Sequence, residues 1–228
     1  MNQPTNNSPA LLTLINLSDS ALPIGGYSHS WGLETWVQSG DLQSAEDVHS
    51  CIKALLLMSI GPQDGTACAL AHRYQKVRDF TMFAKLNEQL SAARWPKETF
   101  KASISMGERL YKLAAEVGIV EDQRERLPQQ LHHSATFGWI SAAADITTGD
   151  ATSAFIYSTC TNLISACVRL IPLGQTDEQK ILARLRPAIN VVASSCIDSD
   201  LDEVGSFAPL NEWAGIEHET LYSRLFQS

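Results

Sequence analysis

Apolar positions recur at intervals of three and four residues along almost the whole chain, the spacing of helices with one buried face. After a polar stretch over 1–9, Leu11, Leu12, Leu14, Ile15 and Leu17 form a short apolar helix that stops at Ser18-Asp19-Ser20. The segment from Leu22 to Tyr27 reads as a loop: Pro23 fixes φ and lacks an N–H, and Gly25 and Gly26 admit backbone conformations closed to other residues. A helix is expected over 28–37, ending at Ser39-Gly40. Ser44 and Asp47 resemble a capping box and open a helix with Val48, Ile52, Leu55 and Leu56 on one face, which Gly61-Pro62 breaks. Helices continue over 63–94, with a turn near Arg78-Asp79, and over 97–117, closed by Gly118. Further helices are expected over 131–146 and 151–171, the second stopped by Pro172-Leu173-Gly174. Thr176-Asp177-Glu178-Gln179 then caps the next one. Residues 199–209 look irregular and acidic, and a last helix begins near Leu210.

No segment alternates with period two. The expected fold is therefore all-α: a single domain of roughly ten helices over 10–228, with a flexible N-terminal tail over 1–9 and a separable C-terminal tail.

Composition narrows the class. Of 228 residues, 44% are hydrophobic, enough to bury a core and count against overall disorder. The formal net charge of −8 counts against a duplex-DNA or RNA binder, which needs a basic footprint. The charge is uneven: residues 1–50 carry −5, 51–197 carry +3 and 198–228 carry −6. Two acidic ends flank a weakly basic body, which suits either partner steering or a solvated surface. The five cysteines (Cys51, Cys68, Cys160, Cys167, Cys196) are odd in number, widely spaced and without a CxxC, as in a reduced intracellular protein. The N-terminus lacks the basic and apolar regions of a signal peptide, and polar residues interrupt the uncharged run over 151–168, so no membrane span is expected.

Catalytic signatures are sparse. There is no GxxxxGK[ST], GxGxxG, HExxH or GxSxG. His132 and His133 are adjacent, so on a helix they point about 100° apart and do not meet one metal; they read as surface or helix-start histidines. His29, His218 and Cys196 are the residues to watch should the chain carry a metal.

Three segments have compositions that a core does not demand. The first, 22–30, presents Tyr27 and backbone N–H groups to a partner, or is a tight turn between helices. The second, 168–176, sets Arg169 at the end of an apolar helix, where it offsets the helix dipole or projects a fork of donors toward carboxylate or phosphate. The third, 222–226, is an aromatic-and-Arg chain end, either an interface anchor or a segment docked back on its own core.

The strings LPIGGYSHSWGLE (22–34), NLISACVRLIPLGQT (162–176) and HETLYSRLFQS (218–228) resemble, in order and spacing, the signature regions of the UreF family of urease accessory proteins. The resemblance implies an all-α cytoplasmic homodimer without catalytic activity, cofactor or metal of its own. It implies a scaffold joining UreD (also called UreH) and the nickel-carrying GTPase UreG to apo-urease, with nickel and GTP handled by those partners. It places Pro23, Gly25, Gly26, Tyr27 and Glu34, then Arg169, Pro172, Leu173, Gly174 and Gln175, then Tyr222, Ser223, Arg224, Leu225 and Phe226 at partner surfaces. It also makes 217–228 a tail that orders on binding UreD. The alternative within this frame is a GTPase-activating protein using Arg169 or Arg224 as an arginine finger. Around His132–Gly138 the chain departs from the family, which commonly has a Pro-Val there, so a stiff turn is lost.

Overall fold

The computed structural model describes residues 8–228, and among these ten α-helices and no strand are found. Residues 1–7 of the expected N-terminal tail lie outside the described residues, and Ser8 and Pro9 already belong to the first helix, α1 (Ser8–Leu17). There follow α2 (Leu33–Gln38), α3 (Ala45–Leu55), α4 (Thr66–Lys76), α5 (Phe80–Ala93) and α6 (Lys97–Glu116). The chain ends with α7 (His133–Ala143), α8 (Thr148–Leu170), α9 (Gln175–Ile197) and α10 (Pro209–His218).

Local chemistry explains most boundaries. Ser44 caps α3 as expected: its Oγ accepts from Asp47 N (3.2 Å), and Asp47 Oδ2 accepts from Ser44 N (2.9 Å). Two of the boundaries that differ from expectation have a plain local cause. Helix α2 starts at Leu33 rather than Ser28, because Trp31 (φ 54°) and Gly32 (φ 86°) are left-handed and no α-helix runs through them. Helix α9 is capped at Gly174 rather than Thr176, with Asp177 Oδ2 accepting from Gly174 N at 3.4 Å.

Gly61-Pro62 does not break the chain. The helical path continues from Ala45 to Lys76, widening to a π-helix over Leu56–Gly65. Pro62 has no N–H to donate, and the Met58 carbonyl that an α-helical N–H at 62 would have used accepts instead from Phe207 N at 2.8 Å. Gly205 N reaches the Pro62 carbonyl at 3.4 Å. The irregular segment over 199–208 thus completes the backbone bonding of the segment the proline disturbs.

The core lies where α4, α7 and α8 meet. Leu70, Phe137, Ile140 and Ile156 are essentially inaccessible there, as are Phe83 on α5 and Leu110 on α6. Helices α4 and α7 cross at Gly138, where an added Cβ would lie 2.0 Å from the Cys68 carbonyl oxygen, so only glycine allows the approach. Helix α9 packs antiparallel on α8, its Ile197 lying beside Gly149.

His132 is not a surface residue. It is the N-cap of α7 and fully buried, with Nε2 on Ser91 Oγ (2.9 Å) and Nδ1 on Ser103 Oγ (3.0 Å). Its own N–H donates to Asn87 Oδ1 (2.8 Å), which fixes the turn that a proline would otherwise stiffen. Burial, reinforced by Arg94, pushes the His132 imidazole down to about 3 and that of His133 to about 4. All five cysteines are free thiols; burial raises Cys51 to about 11 and Cys160 and Cys167 to about 12, which makes them unreactive. Among the described residues, no helix is long and apolar enough to cross a membrane.

Candidate partner-docking site

Glu34 sits in the first turn of α2, where a carboxylate complements the helix dipole, yet it is only 2% exposed. A buried carboxylate requires donors, and the chain end supplies them. Glu34 accepts from Leu225 N (2.7 Å) and Phe226 N (3.0 Å), and its Oε2 lies 3.1 Å from His218 Nε2. The other His218 nitrogen lies 2.7 Å from Glu98 Oε2 on α6, and Glu98 Oε1 accepts from Arg224 at 2.6 Å. A carboxylate only accepts, so both contacts of this fully buried imidazole are satisfied together when the ring donates from both nitrogens.

Beyond Phe226 the chain closes over the first segment. Gln227 N donates to Ser28 O (2.9 Å), and the Ser228 oxygen accepts from Trp31 N (3.0 Å) and Ser30 Oγ (2.7 Å). His29 Nδ1 lies 2.8 Å from Ser228 Oγ. These bonds pin Trp31 in its left-handed conformation, which costs about 1–2 kcal/mol when free of such constraints. The segment after α10, expected as a separable tail, thus carries no helix but lies docked on the chain's own core.

Arg169, in the last turn of α8, joins the second segment to the other two. Its guanidinium lies 3.6 Å from the Tyr27 ring centroid and 4.4 Å from that of Phe226, while Nε donates to Ser165 O at 3.1 Å. Tyr27 is 60% exposed and Phe226 buried, so the guanidinium lies between an outward and an inward ring. Gly25, with φ 91°, starts the tight turn that lifts Tyr27 to this position.

The structure therefore assembles Gly25, Gly26, Tyr27, Glu34, Arg169, Arg224, Leu225 and Phe226. Pro23 is exposed on the approach to the turn, and Tyr222 and Ser223 are exposed on the chain end. Pro172, Leu173 and Gly174 lie in the connection between α8 and α9 and Gln175 opens α9, and among the described residues no hydrogen bond or ring contact joins them to this cluster. Glu98 and Arg109 escaped the sequence reading, since on α6 they look like ordinary solvated charges; only the fold brings Glu98 to the third segment and Arg109 to the first. His29, His218 and Cys196 do not converge: His29 holds Ser228, His218 bridges two carboxylates, and Cys196 bonds the Gly61 carbonyl at 3.3 Å. Among the described residues, no group of three or more His, Cys, Asp or Glu is arranged to hold a metal ion.

The UreF family model matches residues 42–186, more than half of the chain. The chain belongs to the UreF family. Relatives extend the match over the first and third segments. A urease accessory protein UreF of Nostoc sp. (strain PCC 7120) is 32% identical over all of both chains. One of Geobacillus kaustophilus is 31% identical, covering 96% of this chain and 98% of the relative. In this UreF-family chain the cluster brings together an exposed aromatic, Arg169, buried Glu34 and a chain end held by hydrogen bonds.

Proposed function

We propose that this chain is a non-catalytic scaffold in maturation of the nickel-containing urease. It links UreD (UreH) and the GTPase UreG to apo-urease, as a homodimer in the cytoplasm, and couples GTP hydrolysis to nickel insertion. Membership of a urease accessory family supports the coarse role. The observation that supports the docking surface is the convergence of all three signature segments on Arg169, between Tyr27 and Phe226. Residues brought together from positions 27, 169 and 226 suit a composite surface that one partner reads at once.

The arginine-finger alternative is less well supported. Arg169 is stacked between two rings, and Arg224 is paired with Glu98, so either would have to leave its partners to enter a nucleotide site. The deciding experiment is capture of UreD and UreG by the purified chain under reducing conditions, with urease activation in cells lacking it. Recovery of both partners and restored urease activity are expected. Recovery of neither overturns the scaffold reading. Stimulation of GTP turnover that Arg169→Ala or Arg224→Ala abolishes, with capture intact, would favour the finger.

A further inference from the structure

We infer that Arg109 and Arg169 form a two-arginine grip, one on each side of the Gly25-Gly26-Tyr27 turn, that receives carboxylate side chains from an acidic segment of a partner protein. The inference rests on the docking reading above and specifies the chemistry that docks.

Helices α6 and α8 flank the turn. A Cβ at Gly25 would lie 2.7 Å from Arg109 Nη1, and one at Gly26 would lie 3.1 Å from Met106 Cε and 3.6 Å from Asn162 Nδ2. Tyr27 then rests on Arg169. Three consecutive residues thus touch α6, both helices, and α8 in turn, with a guanidinium at each side.

Neither guanidinium is neutralised. Among the described residues no carboxylate lies within ion-pair distance of Arg109 or Arg169, whereas Arg224 in the same cluster is paired with Glu98, and Arg124, in the turn after α6, is paired with Glu108 next to Arg109. The charge of Arg109 is felt nearby: after burial, it is the next cause that lowers the His29 imidazole, against an opposing pull from Glu98. In a chain of net charge −8, two uncompensated arginines beside an exposed tyrosine reverse the local sign. Such a patch steers an acidic partner.

The free donors of the pair suit a carboxylate. The rings of Tyr27 and Phe226 lie close to the Arg169 guanidinium and Nε is spent on Ser165, so its terminal amino groups remain as a planar fork, the shape that matches a carboxylate. Arg109 is exposed and reaches the same turn from the other side.

The test is NMR of the arginine Nε–H resonances of the full chain during titration with three probes: a peptide of alternating Glu and Gly, the same peptide with Gln for Glu, and inorganic phosphate. The expected result is that the Glu peptide alone shifts Arg109 and Arg169. Arg109→Gln and Arg169→Gln should each weaken it roughly tenfold, and Arg109→Lys less. An unchanged melting profile of each variant excludes misfolding as the cause. No shift with the Glu peptide overturns the inference, and an equal response to phosphate reduces the grip to a general anion site and overturns it too. Capture of the partners keeps the two readings apart. If wild type and both Gln variants capture them equally, the grip falls and the scaffold stands; if wild type captures none while the Glu peptide shifts both arginines, the grip stands and the partner assignment falls.

Discussion

The Glu34 carboxylate holds Phe226 in place: Oε2 accepts the Phe226 N–H at 3.0 Å and Oε1 the neighbouring Leu225 N–H at 2.7 Å. The acceptor is buried, so these bonds replace water rather than compete with it. Glu34→Gln keeps the shape but removes the charge facing His218 and turns one acceptor into a donor opposite a donor. It should cost about 3 kcal/mol in denaturant unfolding and speed hydrogen exchange at Leu225 and Phe226. Unchanged exchange at those two amides would show that Glu34 does not hold the chain end.

Deleting Tyr222–Ser228 should leave the helix content almost unchanged, since no helical residue lies beyond His218. It should free Ser30 and Trp31, whose N–H and hydroxyl groups lose the Ser228 oxygen, and remove the Phe226 ring from Arg169. Circular dichroism should therefore match the full chain, while exchange at Trp31 rises and capture of UreD weakens. Full capture after deletion would remove the chain end from the interface.

The helical fold was legible because its signals are local: period, caps and the turn residues at 78–79 and 118. What the sequence concealed was compensation from a distance. Nothing near Pro62 announces that Phe207 will bond the Met58 carbonyl, so a break was the proper local reading and a widened helix the outcome. Likewise His132 looks polar and exposed until Ser91, Ser103 and Asn87 close around it. The docking cluster was legible in its three segments, but Glu98 and Arg109 were not, because a charge on a helix acquires meaning only from what packs opposite.

Two glycines separate close packing from backbone conformation. At Gly138 an added Cβ would meet the Cys68 carbonyl at 2.0 Å, and backbone on both sides leaves little room to yield. Gly138→Ala should cost more than about 3 kcal/mol or prevent folding. Gly118 has open space around it but φ 75°, so Gly118→Ala should cost only about 1 kcal/mol. Melting of the two variants side by side checks the order, and comparable losses would mean that α4 and α7 slide apart easily.

Acid should destabilise the protein through the buried His132 and the half-buried His133. His132 and His133 titrate near 3 and 4 in the folded chain, against about 6.5 when unfolded. Between those values the unfolded state binds more protons, so stability rises with pH there and is lost progressively as pH falls from about 6.5 toward 4. The loss should be on the order of a few kcal/mol, read from denaturant midpoints at pH 7.5, 6 and 5. His132→Asn should lower stability at pH 7.5 yet flatten this slope. Equal stability of wild type at pH 5 and 7.5 would contradict the buried neutral state.

Arg94 and Asp64 form an ion pair whose side chains are 9% and 16% exposed, and Arg94 also lies 5.7 Å from the Trp31 ring centroid. Removing one partner strands the other charge in the interior, so Asp64→Leu or Arg94→Met alone should cost about 3–5 kcal/mol. Removing both avoids the stranded charge, and Asp64→Leu with Arg94→Met should cost much less than the two single losses together. The residual loss should be about 1 kcal/mol, from the missing contact with Trp31. Because Arg94 Nε has no hydrogen-bond partner even in the intact pair, the pair is incompletely satisfied, which makes its joint replacement cheaper still. Additive losses in this cycle, measured by denaturant unfolding at one pH, would show that Asp64 and Arg94 contribute separately and that solvent screens the charges.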